Sequence, residues 1–136
     1  MSKEIPEFIA DFRKRLALVL KDLKEAGAKD PESMWITGSL AAAIMERSGK
    51  KSWPETKAAL DTNNYNSLIQ QLETQGNELV AKGNEKAAYA VQAVAVSVVA
   101  GRVDDPVVAE GNKLMDQLID AAVKFFHQHP NSAKPN

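Results

Sequence analysis

The fold is decided by residues 87–100, which read Ala87-Ala-Tyr-Ala-Val-Gln-Ala-Val-Ala-Val-Ser-Val-Val-Ala100. This stretch favours a helix because it is rich in alanine, and it is apolar on almost every side. A helix without a polar face has to be covered by its neighbours. We therefore predict an all-α, single-domain bundle of five to six helices, with a central apolar Ala/Val-rich helix at about residues 85–101.

Two other interpretations of this central stretch are less favourable. A transmembrane helix requires about 20 consecutive apolar residues, whereas this stretch is shorter and contains Gln92 and Ser97. Its valines are typical of a buried strand, but the stretch is long for a strand and the sequence offers no second strand to pair with it. We therefore expect a buried helix and no contact with a membrane. Gln92 then needs hydrogen-bond partners, either within the bundle or across a contact between subunits.

Amphipathic helices are predicted on both sides of the central one. Apolar residues recur every three or four positions, and Asp, Ser and Pro mark several helix starts. The predicted helices run from near Ile5 or Pro6 to Gly27, from Asp30 to about Arg47, from Ser52 to Leu60 or Asp61, from Asn63 to Lys82, and from Asp105 to about His129. Phe8 and Val80 belong to the apolar stripes of the first and fourth of these helices.

The second predicted helix has one doubtful position, Gly38. A glycine inside a helix costs about 1 kcal/mol relative to alanine. Either another helix crosses closely at Gly38, or the segment breaks into a short turn followed by a helix from Ser39. We favour the close crossing.

The length of the chain suits one domain. A domain of 136 residues buries roughly two-thirds of its unfolded surface. We predict a single all-helical domain over residues 1–129 and a disordered C-terminal tail over residues 130–136, which has nothing to bury. The chain has no cysteine, which fits a reducing compartment, and it shows no basic and apolar leader. We expect a cytoplasmic protein.

Several functional classes are disfavoured by composition and spacing. The formal net charge is -1, from 17 Lys and Arg against 18 Asp and Glu, so a protein that mainly holds nucleic acid through its phosphates is not expected. His127 and His129 leave opposite sides of a helix, whereas metal-binding histidines on a helix usually lie three or four apart. Ser39 and Ser97 have no histidine base outside the C-terminal end, and no phosphate loop is present. We expect no catalytic residue, no metal and no cofactor.

The segment 62–77 is depleted in charge, since Glu73 is its only charged residue. Uncharged polar residues fill it, and the candidate interface residues among them are Asn63, Asn66, Gln70, Gln71, Gln75 and Asn77. The cores of protein interfaces are depleted in charged side chains. The pattern therefore predicts that the outer face of this helix docks another chain, and a solvated amide-rich helix is the alternative.

A second candidate site is suggested by aromatic residues, two of them near helix starts. The candidate pocket residues are Met34, Trp35, Trp53, Tyr65 and Tyr89. They would line a mouth between helices for a small apolar ligand, or else close the ends of the core. The sequence leaves the function unknown and favours a non-catalytic, self-associating protein–protein interaction module, with another protein or a second copy as partner. A helical bundle that binds a small apolar ligand near Trp35 and Trp53 is the alternative.

Overall fold

The computed structural model describes residues 7–129, apart from the side chains of residues 26–29. The helices in this range are α1 (Glu7–Lys29), α2 (Pro31–Ser48), α3 (Trp53–Ala58), α4 (Thr62–Ala81), α5 (Glu85–Ala100) and α6 (Pro106–Gln128). No strand occurs between residues 7 and 129, so the prediction of an all-α bundle of five to six helices is confirmed. The predicted tail over 130–136 and the predicted helix start at Ile5 or Pro6 lie outside the described residues.

Side-chain caps begin the five helices α2 to α6, and those of α2, α3 and α6 were predicted. The Asp30 carboxylate accepts hydrogen bonds from two backbone N–H groups in the first turn of α2, and Asp105 does the same for α6. The Ser52 hydroxyl oxygen accepts one from the backbone N–H of Glu55 at the start of α3. These acceptors satisfy N–H groups that have no partner inside the helix.

The first helix is longer than the sequence suggested. It continues past Gly27 to Lys29, so the predicted stop at Gly27 is wrong. Glycine lowers helix stability without ending the helix. The helix ends where proline chemistry requires it, because Asp30 precedes Pro31 and has extended dihedral angles, φ -127° and ψ 91°, as the residue before a proline favours.

The Ala/Val-rich helix α5 lies at the centre of the bundle, as predicted. It packs against α1, α2, α4 and α6, and Ala90, Ala93 and Val94 are completely buried. The cover is incomplete, however. Gln92 is exposed rather than buried, and a strip of α5 between α1 and α4 remains open to solvent.

The close crossing expected at Gly38 is confirmed. Helix α2 is continuous through this glycine, and a Cβ atom built on it would lie 2.0 Å from the carbonyl oxygen of Ala122 in α6. Gly111 allows a second close approach, since a Cβ there would lie 2.7 Å from Cδ2 of Leu16 in α1. These two contacts bring α1 and α2 against α6 and leave α4 on the opposite side of α5.

Candidate functional site

A concave surface lies above the open strip of α5. Helix α4 packs extensively on α5 and makes no comparable contact with α1, so much of the space between α1 and α4 is unfilled. We call this space the α5 groove. It has a volume of about 760 Å³. Its main apolar lining residues are Phe8 and Phe12 from α1, Ile69, Leu72 and Val80 from α4, and Ala88, Tyr89, Val91, Ala95, Val96 and Val99 from α5.

The groove follows the length of α5. Its floor extends from Glu85 to Val99, which at the helical rise corresponds to about 20 Å. At Gly76 the α4 wall adjoins the floor, and a Cβ there would make an ordinary contact of 3.6 Å with Cγ1 of Val91. On the α1 side, the Tyr89 hydroxyl donates a hydrogen bond to the carbonyl oxygen of Val19 at 2.8 Å. Burial raises the pKa of the Tyr89 phenol above its usual range, so this donor stays protonated.

Large apolar side chains are exposed on both rims of the groove. Phe8 on α1 is 64% exposed and Val80 on α4 is 67% exposed, although the sequence placed both on stripes that face the core. Exposed apolar residues that cluster around a concave surface are typical of interaction sites.

Charged residues also line the groove. Three of them are acidic, Asp11, Glu73 and Glu85, and one is basic, Arg15. All four are exposed. The groove therefore combines an apolar floor with rims of net negative charge.

A buried polar cluster is the second unusual feature. The Lys57 Nζ atom of α3 lies 2.6 Å from Oδ1 of Asp116 in α6. It also donates to the carbonyl oxygen of Ser97 at 3.1 Å and to Oδ1 of Asn112. The contact between Asp116 Oδ1 and the Lys57 ammonium group does not have hydrogen-bond angles. We therefore describe it as an ion pair. Burial lowers the pKa of Lys57 and raises that of Asp116, and the opposite charge of each partner opposes these shifts.

The same cluster fixes α3 to α5 and α6. The indole N–H of Trp53 donates to the Ser97 hydroxyl oxygen at 2.7 Å, and the backbone N–H of Trp53 donates to Oδ1 of Asp120 at 2.9 Å. Lys57 Nζ lies 3.2 Å from the same hydroxyl oxygen. A lysine beside a serine is the composition of a nucleophilic pair, but Trp53 and Ser97 are completely buried. The contacts of this buried cluster therefore contribute to the packing of α3 on α5 and α6.

Sequence reasoning missed this cluster, although two signals pointed to it. Asp116 stands on the apolar stripe of α6, one residue after Met115 and three before Ile119. Lys57 follows Trp53 by four residues and therefore shares its face of α3. A charged residue on each of two core-facing stripes indicates a buried ion pair, but only the tertiary structure shows that the two meet.

The structure distributes the five candidate pocket residues over different environments. Tyr89 lines the α5 groove, whereas Trp53 is completely buried and Met34 is partly buried. Trp35 packs edge to face on Phe126 with ring centroids 5.3 Å apart, and the Arg102 guanidinium lies 4.4 Å above the Tyr65 ring. The large cavity therefore lies over α5 rather than beside the two tryptophans.

The six candidate interface residues are all exposed on α4: Asn63, Asn66, Gln70, Gln71, Gln75 and Asn77. Gln70, Gln71 and Gln75 line a shallow depression on the outer face of this helix, and Asn77 lines the α5 groove on its inner side. The surface is thus available to a partner, and its use as an interface stays a prediction.

The described part of the chain shows neither a metal-binding cluster nor a membrane-spanning helix. Residues 7–129 contain no group of three or more His, Cys, Asp and Glu side chains placed to hold a metal ion. The rings of His127 and His129 lie beside those of Phe126 and Phe125. None of the helices in this range is long and apolar enough to cross a membrane.

Comparison with known proteins identifies no matching family model, curated protein or solved structure. The proposal for the function therefore rests on the geometry of the chain itself.

Proposed function

We propose that this protein is a non-catalytic cytoplasmic interaction module that binds a helix of a partner protein in the α5 groove. The observation that carries the proposal is the open strip of α5. The most apolar helix of the chain is covered on its other sides, while Ala95, Val96 and Val99 line an unfilled space between α1 and α4. The absence of cysteine supports a reducing compartment such as the cytoplasm.

The shape of the groove favours a helix as its occupant. A groove of about 20 Å accommodates roughly four turns of α-helix, and it is bounded by two helices over a third. A helix with an apolar stripe would complete the packing in the way that a further bundle helix does, which is a recurring mode of peptide recognition. Phe8 and Val80 on the rims would then be covered together with the floor.

A small apolar ligand is the second candidate for the same groove. The volume of about 760 Å³ lies within the range of small-molecule sites, roughly 300–1,000 Å³. Native mass spectrometry of the freshly purified protein distinguishes the two occupants. A co-purifying apolar compound, lost when Gln92 on the groove floor is replaced by lysine, would favour the small ligand.

The experiment for helix binding uses a synthetic peptide as test ligand. We choose a helical peptide of about 14 residues, built from leucine on one face and lysine on the other, and measure its affinity by isothermal titration calorimetry. We expect one-to-one binding to the wild type. The variant Phe8→Ser/Val80→Ser should bind at least about tenfold more weakly, because two apolar contacts are lost.

A matched control separates groove binding from general hydrophobic attraction. Val107 and Leu114 lie outside the groove on α6 and are 55% and 51% exposed. The variant Val107→Ser/Leu114→Ser should therefore bind the peptide at least as tightly as the wild type. Equal weakening in both double variants, or no binding to the wild type, would contradict the proposed function.

A further inference from the structure

Helix α6 carries an apolar stripe that is exposed to solvent over much of its length. Val107 and Leu114 are exposed and lie seven residues apart, so they share one side of the helix. Ala121 is exposed on that side, and Phe125 is partly exposed there. Leu118 lies on the same side and packs in part against the core. The stripe extends over about 27 Å at the helical rise. It is convex, whereas the α5 groove is concave.

The charges beside the two surfaces are complementary. The groove has three acidic residues, Asp11, Glu73 and Glu85, and the single base Arg15 on its rims. Two exposed basic residues, Lys113 and Lys124, lie on α6 beside the stripe. The exposed acidic residue of α6 beside the stripe is Glu110. Opposite net charges on two facing surfaces favour their encounter and fix their orientation.

We propose that the occupant of the α5 groove is helix α6 of a second copy of this chain. This inference rests on the proposed function and specifies its partner. Two surfaces rich in exposed apolar side chains occur on the same molecule, one a groove of about 20 Å and the other a helix face slightly longer than the groove. Each would cover apolar surface of the other that is otherwise in contact with water.

Such a contact has a defined consequence for assembly. Because the groove of one copy binds a different surface of the next, each contact leaves one groove and one α6 stripe free. Contacts of this kind produce closed rings or open chains rather than a two-fold dimer. The protein should therefore show a distribution of sizes that grows with concentration.

The experiment is sedimentation velocity with two single variants that change exposed residues only. Val80→Glu places a charge on the groove rim, and Leu114→Glu places one on the α6 stripe. Circular dichroism should show unchanged helicity for both. The wild type should form oligomers that grow with concentration, and each variant alone should be monomeric or associate at least about tenfold more weakly.

An equimolar mixture of the two variants gives the decisive result. Val80→Glu retains an intact stripe and Leu114→Glu retains an intact groove, so the mixture should form a dimer that neither variant forms alone. A mixture that stays monomeric would overturn the proposal. So would association that is lost only with Leu114→Glu, since α6 would then pair with itself.

Two further outcomes separate this inference from the proposed function. If the wild type is monomeric at all concentrations yet binds the leucine/lysine peptide in its groove, the second copy is the wrong occupant and helix binding stands. If it neither associates nor binds the peptide, both proposals fail. Association that is abolished by Gln71→Lys/Gln75→Lys and unaffected by Val80→Glu would assign the interface to the outer face of α4 and overturn the inference.

Discussion

The ammonium nitrogen of Lys57 lies 2.6 Å from Oδ1 of Asp116, and both side chains are almost fully removed from solvent, with 6% and 13% of their surface exposed. This pair joins α3 to α6 inside the bundle. Breaking a buried pair by removing one partner is strongly destabilising, because an unpaired charge is left in the interior. A pair of exposed charges contributes much less, because water already solvates both groups.

We expect Lys57→Met to lower the free energy of unfolding by about 3–5 kcal/mol, as for other buried pairs that lose one member. The double variant Lys57→Met/Asp116→Leu should recover most of this loss, since no unpaired charge remains. Urea denaturation followed by circular dichroism measures both values. The comparison with Lys86→Met provides a control, because Lys86 pairs with Asp30 and Glu32 at the surface and its loss should cost much less than the loss of Lys57. If Lys57→Met and Lys86→Met lowered the free energy of unfolding by equally small amounts, the buried pair would contribute no more to stability than the exposed pair.

The two glycines Gly38 and Gly76 should respond in opposite ways to alanine, although both are inside helices. A Cβ on Gly38 would lie 2.0 Å from the Ala122 carbonyl oxygen, so Gly38→Ala forces α2 and α6 apart. We expect a loss of about 1–3 kcal/mol or more, as for other overpacked sites. At Gly76 the nearest atom would be 3.6 Å away, and Gly76→Ala should stabilise by up to about 1 kcal/mol through helix propensity. Thermal unfolding of the two variants measures the difference, and a stabilised Gly38→Ala variant would refute the close crossing.

Features governed by local chemistry were predictable from the sequence. Asp30 followed by Pro31 indicated a helix start, and Gly38 within an apolar pattern indicated a close crossing. Both depend on residues that are neighbours in the chain. Gly27 shows the limit of such rules, since the helix passed through a residue that often ends one and stopped only where Pro31 required it.

Features that depend on how helices are arranged in space were not predictable. Phe8 and Val80 belong to apolar stripes of α1 and α4, but these stripes are wider than the surface that α5 covers, so both residues remain exposed beside the groove. Gln92 was expected to need partners within the bundle or across a subunit contact, and it lies on the open strip of α5. The groove follows from the separation of α1 and α4, which no short stretch of sequence specifies.

The ion pair between Arg13 and Asp105 should make stability depend on pH in the acidic range. Arg13 donates from Nη2 to Oδ2 at 2.6 Å and from Nε to Oδ1 at 3.2 Å, and this holds the pKa of Asp105 below its ordinary value of 3.8. The folded state therefore binds fewer protons than the unfolded state between the two pKa values. The stabilisation is present above pH 3.8 and is lost as the pH falls through the lower, folded pKa.

The variant Asp105→Asn tests this dependence, because asparagine also caps helices but carries no charge. The urea midpoint of the wild type should exceed that of the variant by a constant amount between about pH 5 and pH 7, and the difference should shrink below about pH 4. If the difference in urea midpoint stayed constant down to about pH 2, the charge of Asp105 would not contribute to the stability of the wild type.

Thr37 should be replaceable by valine with a gain in stability. Its side chain is buried, and its hydroxyl has no hydrogen-bond partner among the described residues. A buried polar group without a partner costs about 1–3 kcal/mol, whereas valine has nearly the same shape and no hydroxyl to satisfy. We expect Thr37→Val to raise the free energy of unfolding by about 1 kcal/mol, measured by urea denaturation.

Thr37→Ser serves as the control for this prediction. It keeps the hydroxyl and loses a methyl group, so it should lower the free energy of unfolding. A loss of stability in Thr37→Val would reveal that the hydroxyl has a partner, such as a buried water molecule.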